Sequence, residues 1–132
     1  MPVSGRGPYD DNNIFARILR DEIPSRRIYE DEWAVAFHDL NPQAPVHILV
    51  IPRGKYVSLS DFVEQATDAE IAGFFRAVGT IARQLALEER GFRVLSNMGP
   101  HSGQEVPHFH VHLFGGGPLG PMLARRADSG AP

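Results

Sequence analysis

VPHFHVHLF, residues 106–114, sets His108, His110 and His112 at every second position in a chain with only six histidines. A strand places residues i, i+2 and i+4 on one face, successive pairs about 6.5–7 Å apart. Read as a strand, the run gives three imidazoles to one face. Phe109, Val111 and Leu113 take the other, which is apolar and reads as core. Imidazole changes charge nearest neutral pH and serves as base, nucleophile or metal ligand.

Upstream, Gly99–Gln104 is a tight loop that delivers the chain to His108, and Phe92–Asn97 alternates as a strand. Before it lies the strongest helical signal, from about Asp68 to Glu89. Thr67 followed by Glu70 is a capping-box pattern, and Ile71, Phe74, Phe75, Val78, Ile81, Ala82 and Leu85 trace one apolar stripe. Gly91 stands where a left-handed C-terminal cap belongs, and Gly79 is expected to mark a close approach to the sheet. Residues 58–65 predict a short helix behind Ser58 or Ser60. Val46–Pro52 is a near-continuous apolar strand suited to a central position, with His47 its one ionisable residue. Arg27–Glu30 and Trp33–His38, turned at Asp31-Glu32, predict a hairpin. Asn13 is placed to cap a helix carrying Ile14, Phe15, Ile18 and Leu19, which Glu22-Ile23-Pro24 ends.

These elements predict an α+β domain over residues 13–124, with a sheet of about five strands, mainly antiparallel, one long helix and one or two short ones. Residues 1–12, rich in Gly, Pro, Asp and Asn, are expected to form a disordered N-terminal tail, and 125–132 a flexible C-terminal one. A net charge of −3 argues against a duplex nucleic-acid binder. The absence of cysteine excludes disulfides, thiolate catalysis and Cys-based zinc sites. No apolar run approaches the roughly 18–20 residues that cross a membrane, and the first residues carry no secretory core, so a cytoplasmic location is expected.

The triad has three readings from its residues alone. It could be the solvated face of an edge strand, although such faces ordinarily use Lys, Glu and Thr. It could bind a metal, but the outer rings of a straight strand stand about 13 Å apart, too far for one ion to take all three, so a metal would need carboxylates from elsewhere, and none is expected. The third reading is phosphate chemistry. Ser96, Asn97, Gly99, Ser102 and Gly103 offer hydroxyl, amide and backbone N–H donors beside the imidazoles. A histidine nitrogen there could attack phosphorus and form a covalent adduct while a neighbouring imidazole assists the leaving group.

HFHVHLF (His108–Phe114) resembles the signature of the histidine triad (HIT) superfamily, and Phe37–Arg53 resembles its other signature block. IFARILRDEIPSRRIYED and the spacing from Asn97 through SGQEVPH are similar to the Hint branch, the histidine triad nucleotide-binding proteins. The resemblance spans about Ile14 to Leu123 and implies a HIT-like fold with its sheet extended across a homodimer. It implies a purine nucleoside phosphoramidase that cleaves P–N bonds through a nucleotidyl-histidine intermediate and releases AMP or GMP without a cofactor. The alternatives are a dinucleoside polyphosphate hydrolase of the same superfamily and a nucleotide-binding adaptor.

The catalytic set implied is His110 as nucleophile, His112 at the phosphate and leaving group, and His108 and His47 around the nucleophile. The nucleotide-binding set is Asp39 at the ribose, with Leu40 beside it. Asn97, Gly103, Gln104 and Glu105 match the phosphate-side loop, and Ile14, Phe15, Ile18, Ile23, Phe37 and Leu49 the apolar slot for the base. Those apolar residues would also read simply as core. Three departures stand out. Glu105 occupies a position where many relatives carry a small hydroxyl residue, Pro107 before the first histidine removes one ladder donor, and the tail lacks the tryptophan-containing end of animal Hint proteins.

Overall fold

In the computed structural model, which describes residues 3–124, Asn13 opens helix α1 (Ile14–Leu19) by accepting the Ala16 N–H at 2.9 Å. Strands β1 (Arg27–Glu30) and β2 (Ala34–His38) form the expected hairpin, and the Asp31 carboxylate accepts the N–H groups of Trp33 and Ala34 at its turn. Then follow β3 (Val46–Pro52), α2 (Leu59–Gln65), α3 (Asp68–Gln84), β4 (Arg93–Leu95) and β5 (Val111–Gly115). The strands make one antiparallel sheet in the order β1-β2-β3-β5-β4.

Period-2 alternation divides the apolar residues between two cores. On one face Ala34, Ala36, Ile48, Val50, Val111 and Leu113 meet Phe62 of α2 and Phe74, Ala77, Val78 and Ile81 of α3. Phe109 stacks on Phe62 there, ring centroids 4.7 Å apart. On the other face Val35, Phe37, Leu49 and Ile51 meet Phe15 and Ile18 of α1. The second core lies beside the histidines, because Phe37, Leu49 and His112 are cross-strand neighbours.

The structure departs from the sequence expectations at four places. Only His112 of the triad lies within a ladder strand, since β5 starts at Val111. Pro107 has no N–H to give, and the Phe109 N–H goes to the Tyr56 carbonyl at 2.7 Å instead of to β3. The alternation of side chains nonetheless persists through the irregular stretch. The long helix stops at Leu85, with Ala86 in the left-handed region at φ 58°. The Leu87 N–H reaches back to the Ala82 carbonyl while Leu87 buries its side chain, and this apolar anchor ends the helix before Gly91. Gly79 makes no close approach, as an added Cβ would meet only Arg83 at 3.6 Å; at Gly73 it would fall 2.3 Å from the Trp33 ring.

The fourth departure is the N-terminal segment. Residues 3–12 lie against the body: Ser58 Oγ donates to the Gly5 carbonyl at 2.8 Å and Lys55 pairs with Asp11 at 2.8 Å. Residues 1–2 and the expected tail at 125–132 lie outside the described residues. Among the described residues no helix is long and apolar enough to cross a membrane.

Candidate active site

His110 has one ring nitrogen committed. Its Nδ1 lies 2.7 Å from the His108 carbonyl oxygen. A carbonyl only accepts, so Nδ1 carries the hydrogen and neutral His110 keeps its lone pair on Nε2. Ser96 Oγ donates to the His110 carbonyl at 2.8 Å and pins the backbone, and Phe15 meets the ring edge-on with centroids 5.0 Å apart. Burial lowers the His110 pKa, opposed by the His108 carbonyl and by the charges of Glu105 and Asp39. The ring is thus a free base at neutral pH.

The same logic runs through His47 to His112. His47 Nδ1 accepts the Gln43 N–H at 3.1 Å, so its hydrogen sits on Nε2. That Nε2 lies 2.9 Å from His112 Nδ1, which must then accept. Neutral His112 therefore carries its hydrogen on Nε2. Burial first, then the nearby His110 and His47, push its pKa down to about 4. Asp39 stands at the end of β2, its N–H donating to the His47 carbonyl at 3.1 Å. One carboxylate oxygen accepts the Asn41 N–H at 2.8 Å and the other lies 3.4 Å from His47 Nε2. Burial lowers the His47 pKa and the Asp39 charge opposes it.

His108 is fully buried, and its Nε2 donates to the Pro52 carbonyl at 3.0 Å. It serves His110 through its backbone carbonyl, while its ring nitrogens bond other groups.

The phosphate-side loop is built on Gly99 (φ 77°), a 3₁₀ turn Pro100–Ser102 and left-handed Gly103 (φ 73°). The N–H groups of Gly103 and Gln104 return to the Pro100 and Gly99 carbonyls within the loop. The Gln104 side chain is buried: its oxygen accepts the Gly99 N–H, and its nitrogen donates to the Val57 and Val106 carbonyls.

A cleft of about 200 Å³ opens over these groups. Of the residues expected in the site, His110, His112, Asp39, Asn97, Gly103, Glu105, Phe15 and Leu49 line it together. His47 stands behind His112. Gln104 holds the loop from beneath, and Ile18 and Phe37 lie in the core below the cleft, with Ile23 at its margin. Leu40 points to solvent at 85% exposed, and Ile14 is 43% exposed on the outer side of α1. Sequence reasoning missed Asn41, Gln43 and Val106, which also line the cleft. The first two follow Asp39 in one proline-held loop, and that shared loop was the available signal.

Asp39, His47 and His112 bring ligand atoms within 4.8 Å of one another, close enough to share one metal ion, although the sequence reading expected none. The group draws on only one triad histidine.

The HIT domain family model matches residues 20–119. An uncharacterised 13.2 kDa HIT-like protein of Azospirillum brasilense is 60% identical over 117 residues, 89% of this chain and 96% of that protein. The purine nucleoside phosphoramidase of Escherichia coli K12 is 42% identical over 116 residues, 88% of this chain and 97% of that one. A solved histidine triad protein from Clostridium difficile is 39% identical with a TM-score of 0.77, covering 88% of this chain and 100% of that chain.

Proposed function

The chain belongs to the HIT superfamily, in its Hint-like branch, and on that premise we propose that it hydrolyses purine nucleoside phosphoramidates. The reading rests above all on His110, whose Nδ1 is held by the His108 carbonyl at 2.7 Å so that Nε2 is the free nucleophile on the cleft wall. The same walls suit a bound nucleotide. Phe15, Leu49 and Val106 offer an apolar surface to the base, and Asp39 a carboxylate to the ribose hydroxyls. The Asn97 amide and the backbone N–H of Glu105 are the phosphate's donors.

In the first step the His110 Nε2 lone pair forms a bond to phosphorus as the P–N bond breaks. The departing amine takes that electron pair and one proton, relayed from solvent through His112. The bound phosphate's negative charge raises the His112 pKa for this relay. In the second step a water oxygen bonds to phosphorus as the Nε2–P bond breaks, AMP or GMP leaves, and one proton returns to solvent. His110 ends as it began.

Glu105 supports an amine over a polyphosphate as leaving group, because a carboxylate on the cleft wall repels an anion. Incubation with adenosine 5′-phosphoramidate tests the proposal. AMP should accumulate, and rapid quenching should trap the nucleotide on His110. His110→Gly should bind AMP but form no adduct and turn nothing over. Wild-type turnover by that variant would overturn the reading.

A further inference from the structure

Tyr9 reaches the triad from outside the sheet. Its hydroxyl lies 2.6 Å from His108 Nδ1. The other His108 nitrogen donates to the Pro52 carbonyl at 3.0 Å, so Nδ1 is the acceptor and the phenol the donor. The rings pack edge-on at 5.6 Å. Burial raises the Tyr9 pKa and pushes that of His108 down to about 4, so neither group ionises near neutral pH.

The segment that carries Tyr9 is itself fixed. Ser58 Oγ holds the Gly5 carbonyl, and Lys55 holds Asp11. Gly5, at φ 75°, lies so close to the phosphate-side loop that an added Cβ would fall 2.8 Å from Met98 Cγ and 3.0 Å from the Gly99 nitrogen. The N-terminal segment therefore touches both the loop and the ring of the residue whose carbonyl orients His110.

We infer that Tyr9 is a positioning residue: its hydroxyl locks the His108 ring and, through it, the backbone carbonyl that aims His110 Nε2 at phosphorus. This deepens the phosphoramidase reading and rests on it for the rate measurement alone. A loss of aim of about an ångström slows chemistry far more than it weakens binding.

Tyr9→Phe keeps the packed ring and deletes the donor. In ¹⁵N spectra of the histidine rings, the His108 Nδ1 resonance should move toward that of a free lone pair, while its protonated Nε2 stays in place. The rate of His110 adduct formation should fall about tenfold, with the AMP dissociation constant within about twofold of wild type. Gly5→Ala, which presses the segment off from its other end, should produce the same two changes and serves if Tyr9→Phe does not fold. An unmoved Nδ1 resonance, a wild-type adduct rate, or equal losses of rate and AMP affinity would overturn the inference. The spectra need no substrate. Absence of turnover in the wild type would sink the phosphoramidase reading, while the Nδ1 resonance would still decide whether Tyr9 holds His108.

Discussion

His47 and His112, 65 residues apart in sequence, meet ring to ring across β3 and β5 with 2.9 Å between Nε2 and Nδ1. The contact gives His112 its tautomer and so decides which of its nitrogens presents a hydrogen to the cleft. Replacing His47 with alanine removes that donor and leaves His112 free to turn its hydrogen inward. Turnover should drop by about ten- to a hundredfold while AMP affinity holds. Single-turnover kinetics beside calorimetric titration would show the split, and a proportional loss of both would refute it.

Stability should depend on pH through the buried rings. Burial places the His108 and His112 pKa values at about 4 in the folded chain, against about 6.5 unfolded. Between those values the unfolded chain binds more protons, so stability is full above pH 6.5 and falls as the pH drops toward 4. Each proton contributes about 1.4 kcal/mol per pH unit, with the partly exposed His112 contributing less. Unfolding free energies from urea titrations at pH 7.5 and 4.5 should differ by about 2–4 kcal/mol; a flat profile would show that these rings titrate normally.

Glu105 should set leaving-group preference. Glu105→Gln keeps the shape and removes the charge, so cleavage of a diadenosine polyphosphate should rise relative to that of a phosphoramidate. A gain of about tenfold in the ratio of kcat/KM values corresponds to about 1.4 kcal/mol. An unchanged ratio would mean that the carboxylate turns away from the leaving group.

A homodimer should form through the β4 edge of the sheet. β4 is an end strand, and Phe92 and Val94 on and beside it are exposed apolar residues. Light scattering should return about twice the 14.6 kDa chain mass, and Val94→Lys should reduce it. A monomeric mass for the wild type at micromolar concentration would contradict this.

Much of this fold was legible because its signals are local. The Asn13 and Thr67 caps, the Asp31 turn and the alternation through Phe109, Val111 and Leu113 each depend on a few neighbouring residues. What escaped depends on contacts distant in sequence. Leu87 ends α3 because of the core it enters, and Gly73 is required by Trp33. Tyr9 looked like part of a loose polar stretch because its partner is 99 residues away. Within the site, residue types indicated which side chains could do chemistry. Position separated Phe15 on the cleft from Ile18 and Phe37 beneath it, since all three are apolar and only packing distinguishes them.

The buried Gln104 amide ties the phosphate-side loop to the body before any nucleotide arrives. Chain entropy in that wall is lost during folding, so capture of a ligand orders little. Encounter should then behave as simple docking, with an observed association rate that climbs in proportion to AMP concentration and shows no plateau from a slow closing step.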